Sequence, residues 1–119
     1  MNDTQTTIAQ LKATMDAFVK ERDWAQFHSP KNLSMNLAVE AAELMEKFLW
    51  VESAASYTEL ERNRQEVEDE LADVLLSLLC LCNAANIDLS AAFKHKLAQT
   101  AAKYPVEKAK GKPTKYNKL

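Results

Sequence analysis

Two carboxylate pairs, Glu40-x-x-Glu43 and Glu70-x-x-Asp73, are the residues of this chain best placed to do chemistry. On a helix, residues three apart share a face, with Cβ atoms about 5–6 Å apart, so each pair offers two hard oxygen donors to one point. A short polar connection separates the pairs, which can therefore face one another across a helical hairpin. Oxygen donors of this kind suit Mg²⁺, which is usually held by a few carboxylates together with substrate phosphates. A phosphate-bearing substrate is the first ligand to expect.

The elements that must carry these acids are helices. With one glycine, three prolines and 47% hydrophobic residues among 119, the chain has little material for the turns of an all-β protein and reads as all-α. Four helices are expected. The first covers about 5–22, with Ile8, Leu11, Met15, Phe18 and Val19 as its apolar stripe. Ser29-Pro30 opens the second, Ser as cap and Pro at the first helical position, and it runs to about Val51. Ser56-x-x-Glu59 reads as a capping box opening a long third helix to about Ala85. Asn86-Ile-Asp88 breaks that helix, and Asp88 caps a fourth, which ends near Lys103 ahead of Pro105. The expected organisation is one helical domain over residues 1–104 and a basic, irregular tail over 105–119.

Leu33, Leu37, Ala41, Leu44, Phe48 and Val51 form the apolar stripe of the second helix, with Glu40 at its edge. An ionised carboxylate so close to a core face needs a compensating partner. On the third helix Val67, Leu71, Val74, Leu75 and Leu78 are the expected buried face, flanked by Glu66, Glu70 and Asp73. The run Val74–Cys82 is apolar on every side, so another subunit is the expected cover and a homo-oligomer, a dimer of dimers, the expected assembly.

Net charge is only −2, which argues against wrapping a nucleic-acid polymer. The average conceals an acidic middle, with eleven acids against three bases over residues 40–73, and a basic end, with eight lysines against Glu107 alone from Lys94 onward. An acidic centre that collects a metal and a basic end that attracts phosphate suit a metal–triphosphate ligand. Cys80 and Cys82 point about 200° apart around a helix axis, so neither a disulfide nor a zinc knuckle is expected. The polar N-terminus lacks the apolar region of a secretory signal and no run is long enough to span a bilayer. The expected setting is the reducing cytoplasm, with no membrane partner.

With these residues laid out, the sequence resembles the all-α nucleoside triphosphate pyrophosphohydrolases of the MazG superfamily, whose signature is E-x-x-E followed by E-x-x-D. Glu21-Arg-Asp-Trp-Ala-Gln-Phe-His-Ser-Pro-Lys-Asn32, Phe48-Leu-Trp50, and Lys103-Tyr-Pro with the lysines after it resemble the dCTP pyrophosphatase branch in particular. The resemblance implies a MazG-like bundle that hydrolyses a (deoxy)nucleoside triphosphate, dCTP or a modified dCTP, to the monophosphate and pyrophosphate. It implies Glu40, Glu43, Glu70 and Asp73 as catalytic Mg²⁺ ligands, Trp24 and Trp50 stacking on the base, His28 near the nucleotide, and Lys96, Lys103 and Tyr104 as substrate contacts. Thr100 departs from the family pattern, which has Asn there. Which carboxylate takes the proton of the attacking water stays open, with Glu46, Glu66 and Asp69 as candidates.

Two rival functions fit a helical, carboxylate-rich chain. Di-iron carboxylate bundles need Glu-x-x-His pairs, and neither His28 nor His95 follows a glutamate at that spacing. A helical oligomer that binds or senses metal–nucleotide without turnover is the other, and only an activity assay separates it from the enzyme.

Overall fold

A computed structural model describes residues 1–119 as helices joined by turns, with no β-strand. The six α-helices are α1 (Ile8–Glu21), α2 (Pro30–Glu46), α3 (Ser56–Arg62), α4 (Arg64–Ala85), α5 (Leu89–Lys103) and α6 (Val106–Ala109). Short 3₁₀ turns at Ala25–Phe27, Ser53–Ala55 and Tyr116–Lys118 complete them. The chain forms two compact units, residues 1–86 and 87–119.

In the first unit α4 packs chiefly against α2 and also against α1. Its starts and stops follow local chemistry. Thr7 caps α1 in a reciprocal box with Gln10, the Thr7 hydroxyl accepting from the Gln10 N–H while the Gln10 side chain accepts from the Thr7 N–H. Ser29 caps α2 as expected, its hydroxyl accepting from the Asn32 N–H at 3.1 Å, with Pro30 at the first helical position. Asn86 ends α4 in the left-handed conformation, φ 53°, which Asn tolerates better than most residues.

Two boundaries differ from expectation. α2 stops at Glu46 rather than Val51, and the chain turns through Lys47–Trp50 with Trp50 at φ 63°. The expected long third helix is two helices and the tail adds α6, so the count is six rather than four, and no capping box opens α3. Ser56 lies inside α3, its hydroxyl donating to the Ser53 carbonyl at 2.7 Å, and the methyl of Ala55 at the cap position makes no capping hydrogen bond. Glu59 is instead held by Arg62 at 3.1 Å and Asn63 at 2.9 Å. Asn63, at φ −120°, ψ 31°, breaks the helix, and Arg64 pairs back to Glu61 and forward to Glu68 across the joint.

The core gathers Val19 of α1, Leu33 of α2 and Cys80 of α4, with Met15 and Leu81 against it, while Val67, Leu79 and Cys82 are buried along α4. Both free cysteines are buried although they point apart, because α4 is covered on two sides, by α1 and by α2. The expectation that Val74–Cys82 is buried all round is not met within one chain: Leu75 and Leu76 are exposed, as is Leu71. Ile8 and Phe18, expected in the stripe of α1, are exposed as well.

The second unit is built on α5, capped by Asp88, whose carboxylate accepts from the Ala91 N–H at 3.0 Å. Beyond Pro105 the tail is more ordered than expected, with α6, a turn at Gly111 (φ 76°) and Tyr116 meeting Tyr104 edge-on at 6.0 Å between centroids. No helix is long and apolar enough to cross a membrane by itself.

Candidate active site

The antiparallel α2 and α4 hold a common register, each step of three or four residues along one being matched by an equal step back along the other. Leu33 shares a core cluster with Cys80, and Asn36 donates to Ser77. Glu40 shares a cavity with Asp73, Glu43 touches Glu70, and Lys47 reaches Glu66. Helical periodicity therefore stacks the four acids in two adjacent layers between the helices.

Oxygens of Glu40, Glu43 and Glu70 lie within 4.8 Å of one another. Asp73 stands outside that tight group but close enough to raise the pKa of both Glu40 and Glu70. Burial is the main cause of the raised Glu40 pKa, with the negative charges of Glu43 and Asp73 next. Burial and then Glu43 raise that of Glu70, partly offset by Lys47. Lys47 extends its ammonium to 3.2 Å from Glu66 and 3.9 Å from Glu70 Oε1. Glu40 Oε2 and Glu70 Oε2 remain buried with no hydrogen-bond partner.

A buried carboxylate oxygen without a partner costs free energy, and two of them converging with a third carboxylate is an arrangement that protein groups leave unsatisfied. A divalent cation with oxygen preference satisfies it, and its charge reverses the repulsion that raises these pKa values. The residues present fit Mg²⁺ or a similar hard ion.

A cavity of about 220 Å³ opens beside the acids, with Glu40, Asp73, Asn36, Ser77, Trp24 and His28 on its wall. Trp24 is half exposed and meets Phe18 edge-on at 5.7 Å between centroids. A second cavity, about 310 Å³, is lined by Asp16, Asn83 and Ala84 and shares Val19, His28 and Cys80 with the first. Of the expected site residues, the fold brings Glu40, Glu43, Glu70, Asp73, Trp24 and His28 together. Trp50 lines neither cavity and stands 94% exposed on the turn after α2. Lys96, Lys103 and Tyr104 belong to the second unit, where the Lys103 ammonium lies 4.7 Å from the centre of the Tyr116 ring.

A MazG-like family model matches residues 35–119, a span that contains both carboxylate pairs. The chain belongs to the MazG-like family. It is 33% identical to dCTP pyrophosphatase 1 of Rattus norvegicus over 97% of this chain and 69% of that protein. Against dCTP pyrophosphatase 1 of Homo sapiens the identity is 32% over the same shares. The crystal structure of a pyrophosphatase from Archaeoglobus fulgidus is similar at a TM-score of 0.81 and 38% identity, covering 88% of this chain and 98% of that one. MazG-like membership and these relatives bear out the enzyme class expected from the sequence, a nucleoside triphosphate pyrophosphohydrolase.

Two features of the MazG-like site escaped the sequence reading. Asn36 and Ser77 make a cross-helix hydrogen bond of 2.7 Å beside the acids, and Lys47 holds Glu66 and Glu70 from the other side. Both were within reach of the pattern. Asn36 precedes Glu40 by one turn, Ser77 follows Asp73 by one turn, and Lys47 follows Glu43 by one turn, so pairing the acids already pairs these.

Proposed function

We propose that this protein is a Mg²⁺-dependent pyrophosphohydrolase that converts a pyrimidine deoxynucleoside triphosphate, dCTP or a modified dCTP, to its monophosphate and pyrophosphate, clearing unneeded nucleotides. The observation that carries this reading is the convergence of Glu40, Glu43 and Glu70 within 4.8 Å, with two carboxylate oxygens orphaned and a nucleoside-sized cavity alongside. Glu40, Glu43 and Glu70 are the residues that hold the ion, with Asp73 completing the set from α4. The chemistry supplied by a bound ion there is neutralisation of phosphate charge and acidification of a water aimed at the α-phosphorus.

The rest is positioning, which together with charge stabilisation accounts for most phosphoryl-transfer catalysis. Trp24 on the cavity wall and Trp50 on its exposed turn are assigned to base stacking, and His28 to the nucleoside. Lys96, Lys103 and Tyr104 are assigned to the phosphates; Lys103 meets an aromatic face and makes no ion pair with a carboxylate, so its charge is available to an anion. In this assignment residues 1–104 are the pyrophosphohydrolase domain and residues 105–119 its basic tail. Exposed Met35 and Val39 on α2 and Leu71 and Leu75 on α4 support a homo-oligomer, a dimer of dimers. Two free, buried thiols suit a reducing cytoplasm.

Incubation with Mg²⁺ and a panel of deoxynucleoside and ribonucleoside triphosphates tests the reading. Pyrophosphate, not orthophosphate, is the expected product, fastest with cytosine deoxynucleotides. Tight binding of nucleotide with no turnover would make the protein a sensor instead.

A further inference from the structure

The cavity beside the acids carries a polar pair that the reading above leaves unused. Asn36 Nδ2 donates to Ser77 Oγ at 2.7 Å; Ser77 is buried and Asn36 is accessible. Much of the wall around them is apolar, with Met15, Leu33 and Leu76 among the lining residues. A neutral amide fixed in such a setting has a definite orientation. With one N–H committed to Ser77, the Asn36 Oδ1 and the second N–H have no protein partner and remain for a ligand.

We propose that Asn36 binds the sugar 3′-hydroxyl of the nucleotide and that Ser77, through its hydrogen bond, is the positioning residue that aims the Asn36 amide; the inference rests on the nucleotide reading above. The register supplies the reason. Asn36 stands one turn of α2, about 6 Å, from Glu40, and Ser77 stands one turn of α4 from Asp73. With the triphosphate at the acids, the first part of a nucleotide to reach the next layer of the cavity is the sugar, whose 3′-hydroxyl is both donor and acceptor. The base then extends toward Trp24 and the adjoining cavity. A 3′-hydroxyl at this layer donates to Oδ1 or accepts from the free N–H, while Ser77 spares the complex the entropy of ordering the amide.

The test compares dCTP with 2′,3′-dideoxy-CTP, a ligand that lacks only this hydroxyl, on the full chain with Mg²⁺, measured as kcat/KM for pyrophosphate release. Wild type is expected to favour dCTP by about two- to twelve-fold, the range of one hydrogen bond. Asn36→Ala brings that ratio close to one, and Ser77→Ala brings it part of the way, whereas Ser77→Thr, which keeps the hydroxyl, retains it. Because the ratio is internal to each preparation, a partly unfolded variant still reports it. A wild-type ratio of one, or a ratio that survives in Asn36→Ala, overturns the inference and leaves the pyrophosphohydrolase intact. Absence of pyrophosphate from every nucleotide removes the underlying reading, and this assignment with it.

Discussion

Trp50 is the residue at which binding and folding separate most cleanly. It is 94% exposed and sits at φ 63° on the turn after α2, a conformation that costs a bulky residue of order 1–3 kcal/mol. An indole in water on a strained backbone does nothing for the fold, which is the reason to assign it to a ligand. Truncation to Ala removes little buried area, so the stability change is expected to stay within about 0.5 kcal/mol. Replacement by Gly, which adopts positive φ freely, is expected to stabilise the chain by about 1 kcal/mol, a melting temperature higher by a few degrees. Base stacking is worth about 1–3 kcal/mol, so either variant should raise KM for the best nucleotide by roughly 5- to 150-fold. Trp50→Phe retains most of the contact. Pyrophosphate release against nucleotide concentration, with thermal melts on the same preparations, provides both readouts. An unaltered KM in Trp50→Ala, or a fall in melting temperature by many degrees, refutes the reasoning, the first by removing the ligand role and the second by showing that the indole supports the fold.

The remaining expectations concern the acids and the core. Glu43→Gln and Asp73→Asn should each abolish turnover while leaving helical circular dichroism intact; substantial activity in either moves the metal elsewhere. Glu40 and Glu70 have raised pKa values in the folded chain, so the folded state binds more protons than the unfolded state between the ordinary carboxylate value and the raised ones. Their cost is present above the raised values and is relieved as pH falls through them. Metal-free protein should therefore gain stability from this pair as pH falls through the raised values toward the ordinary carboxylate value, and Mg²⁺ should stabilise most above them, where protons compete least. A Glu40→Gln, Glu70→Gln double variant should lose that pH slope in thermal melts with chelator; equal slopes would detach the pKa shifts from stability. Leu79, 1% exposed on α4, should cost about 2–5 kcal/mol when cut to Ala, and denaturant melts showing less than about 1 kcal/mol would place it outside the core.

Most of the helix boundaries and the pairing of the acids were legible in the residues because they depend on short-range rules. Ser29-Pro30 and Asp88 satisfy orphan N–H groups within one turn wherever the helix goes. The i,i+3 spacing places Glu40 with Glu43, and Glu70 with Asp73, on one face of any helix that contains them. The break at Asn63 was not legible, because Ser56-x-x-Glu59 satisfies the capping pattern while Glu59 is taken by Arg62 and Asn63. The early end of α2 was not legible either: Phe48 and Val51 continue the apolar period past the point where the backbone turns.

The sequence by itself determined that this chain is helical, that four carboxylates fall in two matched pairs, and that a metal–phosphate chemistry suits them, since periodicity and ligand type are properties of the residues. Tertiary structure alone decided which oxygens are left without partners and that Leu71, Leu75 and Leu76 of α4 stay exposed. Those outcomes depend on the relative register of α2 and α4 and on how α1 and α2 divide the surface of α4 between them. Packing of three helices sets that register, and no stretch of local sequence encodes it.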